Sequence, residues 1–179
     1  LVQCWRDVRR YLQHMLPLKL LAPLVALGTV LPAPAAPAAH SLFASRELWA
    51  TVDVCSPKDQ LNTIGIRGSM PTDGHKGDQM FMRFQVQYVD AKSKKWVYVA
   101  KGADSGFQPV ASTATASQSG RSFQLVPTAG PFRLRGVVSF QWRRGAHVVH
   151  ATTRTTTPEH KSLVGADPAG FSAGTCKIG

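Results

Sequence analysis

The chain has 179 residues, 44% of them hydrophobic and 17% charged, with a net charge of +11. That length allows one ordinary domain with appendages, and the composition excludes a disordered, collagen-like or fibrous protein. The excess of basic residues points toward anionic partners and carries no information about a reaction.

Met15 opens a segment in which Lys19 precedes an apolar run from Leu20 to Leu31, followed by prolines and small residues that supply A-x-A sites such as Ala36-Pro37-Ala38. This is the layout of a secretory signal peptide over residues 15–38, to be removed on export. The run is shorter than the roughly 20 apolar residues a spanning helix needs, and Pro23 interrupts it, so no membrane span is expected. Residues 1–14 lack a methionine and read as a stretch called upstream of the true start at Met15. Loss of residues 1–38 takes four of the 21 basic and one of the 10 acidic residues, leaving +8 on the remainder. The domain itself is expected over residues 42–179.

From there the chain alternates with period two between turn signals, the rhythm of β-strands. Glu47 to Cys55 puts Leu48, Ala50, Val52 and Val54 on one face, and a shorter segment follows with Ile64 and Ile66. The glycine-rich stretch Pro71 to Asp78 breaks the chain. Gln79 to Val89 is the clearest strand, with Met80, Met82, Phe84, Val86 and Tyr88 on its inner face and Arg83, Gln85 and Gln87 on the other. A polar turn then leads into Trp96 to Ala100, which predicts a hairpin. Ser105 to Ser119 has little apolar periodicity and reads as a long loop with at most a short edge strand. Arg121 to Pro127 is short; Phe132 to Arg143 is long, with Phe132, Leu134, Val138, Phe140 and Trp142 on one side and Arg133, Arg135, Val137, Ser139, Gln141 and Arg143 on the other. The turn Arg143 to Ala146 begins a second hairpin with His147 to Thr156. A two-residue loop there pairs Trp142 with His147 and sets Arg135 opposite Arg154, two like charges that repel. Phe171 to Ile178 is expected as a last short strand that returns Cys176 to the first one.

About seven strands predict an all-β protein, an antiparallel two-sheet β-sandwich. With Cys4 lost in the leader, Cys55 and Cys176 remain, one near each end of the domain. Two cysteines in an exported chain usually pair, whereas a metal site would need ligands that neither cysteine has nearby. The strand number and spacing, over Leu42 to Gly179, resemble secreted bacterial domains with an immunoglobulin-like or fibronectin-type-III-like fold. The segments "LWATVDVC", "NTIGIRGSMP" and "ADPAGFSAGTC" are similar to uncharacterised exported proteins of high-GC bacteria. The resemblance implies an extracellular location and no particular reaction.

Catalytic chemistry finds little purchase. No G-x-S-x-G elbow, phosphate-cradling glycine loop or pair of carboxylates brought together by spacing occurs. Asp73, His75 and Asp78 in "DGHKGD" could converge on a metal ion, but glycine and aspartate also make turns, and a turn with His75 exposed is the simpler reading. His147 and His150 point to opposite faces of a regular strand and cannot share an ion. No cofactor and no metal are expected, and the chain is not expected to be an enzyme. A small secreted hydrolase with its site near Asp73 to Asp78 is the alternative. The preferred reading is a non-catalytic binding or cell-surface module whose sheet face, carrying Arg83, Arg135, Arg143 and Arg154, engages an anionic cell-surface polymer or a protein partner. Nucleic acid is not expected, because most aromatic residues fall on inward faces, with Phe81 the better candidate for an exposed ring. A thiol assay on the unfolded, unreduced domain should detect no free thiol; two titratable thiols would contradict the pairing of Cys55 with Cys176.

Overall fold

The computed structural model describes residues 42–110, 116–127, 130–160 and 164–179. The expected leader over residues 15–38 and the stretch 1–14 lie outside the described residues.

A single 3-10 turn, Leu42–Ala44, precedes nine strands among the described residues: β1 (Trp49–Cys55), β2 (Thr63–Pro71), β3 (Gln79–Val89), β4 (Trp96–Tyr98), β5 (Asp104–Val110), β6 (Ala116–Gln124), β7 (Phe132–Arg144), β8 (His147–Thr155) and β9 (Cys176–Ile178). They form an antiparallel two-sheet sandwich. The smaller sheet runs β1-β2-β6; the larger runs β4-β3-β7-β8, with β5 added to the same edge of β3 as β4, and β9 to the same edge of β7 as β8. No helix among the described residues is long and apolar enough to cross a membrane.

Period-two alternation explains the core. Met80, Met82, Phe84 and Val86 of β3 and Leu134, Val138, Phe140 and Trp142 of β7 are buried and meet Ala50, Val52, Ile64, Ile66 and Met70 from the smaller sheet. Each such side chain contributes about 1.5–3 kcal/mol on removal from water. Two glycines leave no room for a side chain between the sheets. A Cβ on Gly68 would touch Val138, Met82 and Phe140, and one on Gly136 would lie 2.6 Å from Thr156 Cγ2 and 2.8 Å from Ile66 Cγ2.

The disulfide joins Cys55, at the end of β1, to Cys176, at the start of β9. The final segment was expected to return to the first strand, and it does so only in part. It makes bridges to β1 at Val52↔Ala173 and Val54↔Asp167, then crosses and pairs with β7 as β9. The bridge therefore ties one sheet to the other. For a separation of 121 residues, the chain-entropy treatment gives about 4–5 kcal/mol of stabilisation.

Some expectations need correction. Residues 105–119 hold more strand than the single short edge strand allowed for, since most of β5 and the first residues of β6 fall in this stretch. Both strands lie at sheet edges and β5 has no buried residue, so no core stripe marks it. The β7–β8 register also differs from the one expected. The hairpin turns on Gly145-Ala146, Arg144 faces His147, and a bulge then shifts the ladder so that Trp142 faces His150 and Val138 faces Arg154. Arg135 is opposite Gln87 on β3 and has no arginine across from it. The same bulge brings His147 and His150 onto one side of the strand, against the expectation from regular geometry. His150 makes edge contacts with Phe43 and Trp142, while His147 stays exposed in the turn.

Gly136→Ala should destabilise the domain by about 1–3 kcal/mol, the usual cost of overpacking a filled core. Chemical denaturation measures this, and unchanged stability would mean that Ile66 and Thr156 can give way.

Candidate functional site

The outward side chains of β3 and β7 share one exposed face of the larger sheet, and they stack arginines on rings. The guanidinium of Arg143 lies 4.0 Å from the centroid of Phe81 and 5.1 Å from that of Phe107. It donates two hydrogen bonds to Gln141 Oε1. Nearer the other end of the sheet, Arg135 lies 4.4 Å from the Trp96 ring and Arg133 5.9 Å from it. Arg135 Nε donates to Gln87 Oε1 at 2.8 Å. Among the described residues, Arg133, Arg135 and Arg143 have no carboxylate within ion-pair distance. Burial pushes the Arg135 pKa down from its ordinary value, with only the Tyr98 hydroxyl acting in the other direction.

Of the four arginines expected to share a face, Arg83, Arg135 and Arg143 do. Arg83 forms a two-point ion pair with Asp104, to which Gln85 Nε2 also donates at 3.1 Å. Its charge is neutralised within the protein. Arg154 is a correction, because the bulge in β8 sends it to the same side as the core residue Val138. There it donates to Phe43 O at 2.7 Å and to Thr152 Oγ1 at 3.1 Å. It can face that way because β8 sits at the edge of the larger sheet, and a long side chain keeps its head group near water.

Sequence reasoning missed three contributors. Trp96 is opposite Val89, and Phe107 opposite Arg83; the hairpin register would have revealed the first, but nothing in the sequence marked the partner or register of β5. The third is Lys177, directly opposite Arg133 in the β7–β9 pair. A like-charged cross-strand pair does exist on this face, but it is Arg133 with Lys177, not Arg135 with Arg154.

The Asp73–Asp78 loop is more ordered than a simple turn. Trp142 Nε1 donates to Pro71 O at 2.8 Å where the loop begins, and Arg144 donates to both carboxylate oxygens of Asp78 at 2.8 and 2.9 Å where it ends. Between them Gly74 and Gly77 take φ of 82° and 93°, in the left-handed region that favours glycine. His75 is exposed as expected, but one ligand atom from each of Asp73, His75 and Asp78 falls within 4.8 Å of the others. The Arg144 hydrogen bond holds the Asp78 pKa below its ordinary value.

An open cleft of about 470 Å³ lies at the other end of β3, lined in part by Tyr88, Tyr98, Leu125, Phe132 and Ile178. At roughly 3.3 Å per residue, the nine steps from Gln79 to Tyr88 put it about 30 Å from the loop. Cleft and titratable cluster are thus separate features.

No family model matches the chain, and no curated protein matches it.

The Asp104 pKa is also lowered, chiefly by the Arg83 hydrogen bond. Its folded value is below its unfolded one, so its contribution is complete above the unfolded pKa, about 4, and is lost as pH falls through the folded value. Asp104→Asn should therefore lower Tm at pH 7, with the deficit shrinking below about pH 4. A deficit that stays constant to low pH would rule out the ion pair as its source.

Proposed function

We propose that the protein is an exported, non-catalytic binding module that uses the outer face of its larger sheet to hold an anionic polymer of the cell surface. The observation that carries this is the pair Arg133 and Arg135 over Trp96, with Lys177 directly opposite Arg133 and no carboxylate partner for either arginine among the described residues. Like charges directly across a ladder destabilise it, so Arg133 and Lys177 cost stability in the free protein. A bound polyanion would turn that repulsion into attraction. Arg135, already partly desolvated and held by Gln87, needs little reordering to meet an acidic group. The disulfide supports export, since such bonds persist in oxidising compartments.

Retention on an anionic-polysaccharide column at low salt tests the reading. Each basic residue close to an anionic surface is worth about 1 kcal/mol, roughly fivefold in affinity. Arg133→Gln with Lys177→Gln should lower the eluting salt concentration while leaving Tm unchanged or higher. Elution at the wild-type salt concentration would remove this end of the sheet as the binding surface.

A further inference from the structure

The Asp73–Asp78 loop holds a group that the binding face does not use. The Asp73 side chain is only 5% exposed, and its Oδ2 is buried with no hydrogen-bond partner. Its other oxygen, Oδ1, accepts the His75 backbone N–H at 3.0 Å, which fixes the direction of the carboxylate. The polar atoms near Oδ2 are not suited to satisfying a carboxylate. His75 Nδ1 is 3.8 Å away, beyond hydrogen-bond range, and the neighbouring Asp78 carboxyl has no hydrogen to donate unless one of the two acids carries a proton.

Two carboxylates brought this near in a largely buried place need a positive charge between them, a proton or a metal ion. Arg144 supplies one charge, and both of its hydrogen bonds go to Asp78. With His75 neutral, the cluster keeps one negative charge in excess, centred on Asp73.

We propose that Asp73 Oδ2, His75 Nδ1 and the Asp78 carboxylate form a binding site for a divalent first-row transition-metal ion, with Zn²⁺ the best match. One imidazole nitrogen with two carboxylate oxygens is a donor set that zinc accepts, whereas calcium takes six to eight oxygens and has little use for imidazole. Ligand atoms around a tetrahedral zinc lie about 3.3 Å apart, given bonds of about 2.0–2.1 Å. The ligand atoms lie within 4.8 Å of one another, and the His75 side chain, 63% exposed, is the member of the cluster with room to turn toward the carboxylates. Arg144 stays in place as an outer partner that orients Asp78, because each carboxylate oxygen keeps a second lone pair. Three protein ligands leave a fourth position open to water or to an acidic group of a partner.

The loop is prepared for this role by the strand beneath it. Trp142 and Arg144, both from β7, pin its two ends. The metal therefore needs to order little beyond His75.

The test is calorimetric titration of the full chain, stripped with chelator, using zinc chloride, with the bound metal counted after desalting. About one tightly bound zinc per chain and a higher Tm are expected. Asp73→Asn and His75→Gln should each weaken binding by about tenfold or more, with the metal-free Tm of Asp73→Asn equal to or above that of the wild type. His147→Gln with His150→Gln should bind as the wild type does. Absence of zinc binding overturns the proposal, as does zinc binding that survives both Asp73→Asn and His75→Gln. A metal-free chain that Asp73→Asn stabilises but that takes up no zinc would show a shared proton in its place. Tighter uptake of calcium than zinc, indifferent to His75→Gln, would also overturn it.

Discussion

Strand β7 has to satisfy its backbone on both edges over 13 residues, and the rest of the molecule is arranged around that requirement. One edge is occupied by β3 in an unbroken ladder from Tyr88↔Leu134 to Gln79↔Arg143. No single strand covers the other edge. Strand β9 serves the beginning and β8 the remainder, with Thr156 filling the junction through its backbone and hydroxyl bonds to Gly136. The same hydroxyl donates to Gly174 O, so the residue that closes the gap also anchors the segment leading to Cys176. Gly136 lacks a side chain because Ile66 and Thr156 fill the space where one would be.

Much of this was legible in the residues. The inner faces of β3 and β7 stand where period two puts them, because a half-buried strand cannot change register without exposing its whole apolar set. The pairing of Cys55 with Cys176 followed from compartment and count. What escaped was structure at edges. Strand β5, with the sequence DSGFQPV, buries nothing and is held by its ladder to β3 and by the ion pair of Arg83 with Asp104. Neither interaction leaves a periodic trace. The bulge in β8 adds one residue without any glycine or proline to announce it, and that single residue relocates Arg154.

The candidate sites were partly legible for the same reasons. Residues that belong to one strand, such as Arg83, Arg135 and Arg143, were placed on the correct face by parity. Those whose role depends on a neighbour were not. Asp104 neutralises Arg83 from a strand whose partner and register were not legible, Lys177 meets Arg133 through a ladder that the tail was not expected to form, and Asp73 is buried because Trp142 and Arg144 hold the loop down. Spacing within "DGHKGD" could show that three ligand types were close in sequence; burial of one Asp73 oxygen without a donor required the fold.

The arginines of the outer face have a structural reason to be there that precedes any ligand. Phe81, Phe107 and Trp96 project from a sheet face that no second layer covers among the described residues, and uncovered rings in that position would form an apolar patch. A guanidinium is planar and weakly hydrated, so it can lie flat on a ring and shield it while its edge still donates to Gln87 or Gln141. Lysine, with a compact and strongly hydrated head group, would do this less well. That accounts for Arg135 and Arg143. It leaves Lys177 unexplained, because it adds a second cation opposite Arg133 where the ladder would be more stable with a neutral side chain. That stability cost at an exposed position is what the proposed polyanion would offset, since it would bridge the two cations that the ladder sets against each other.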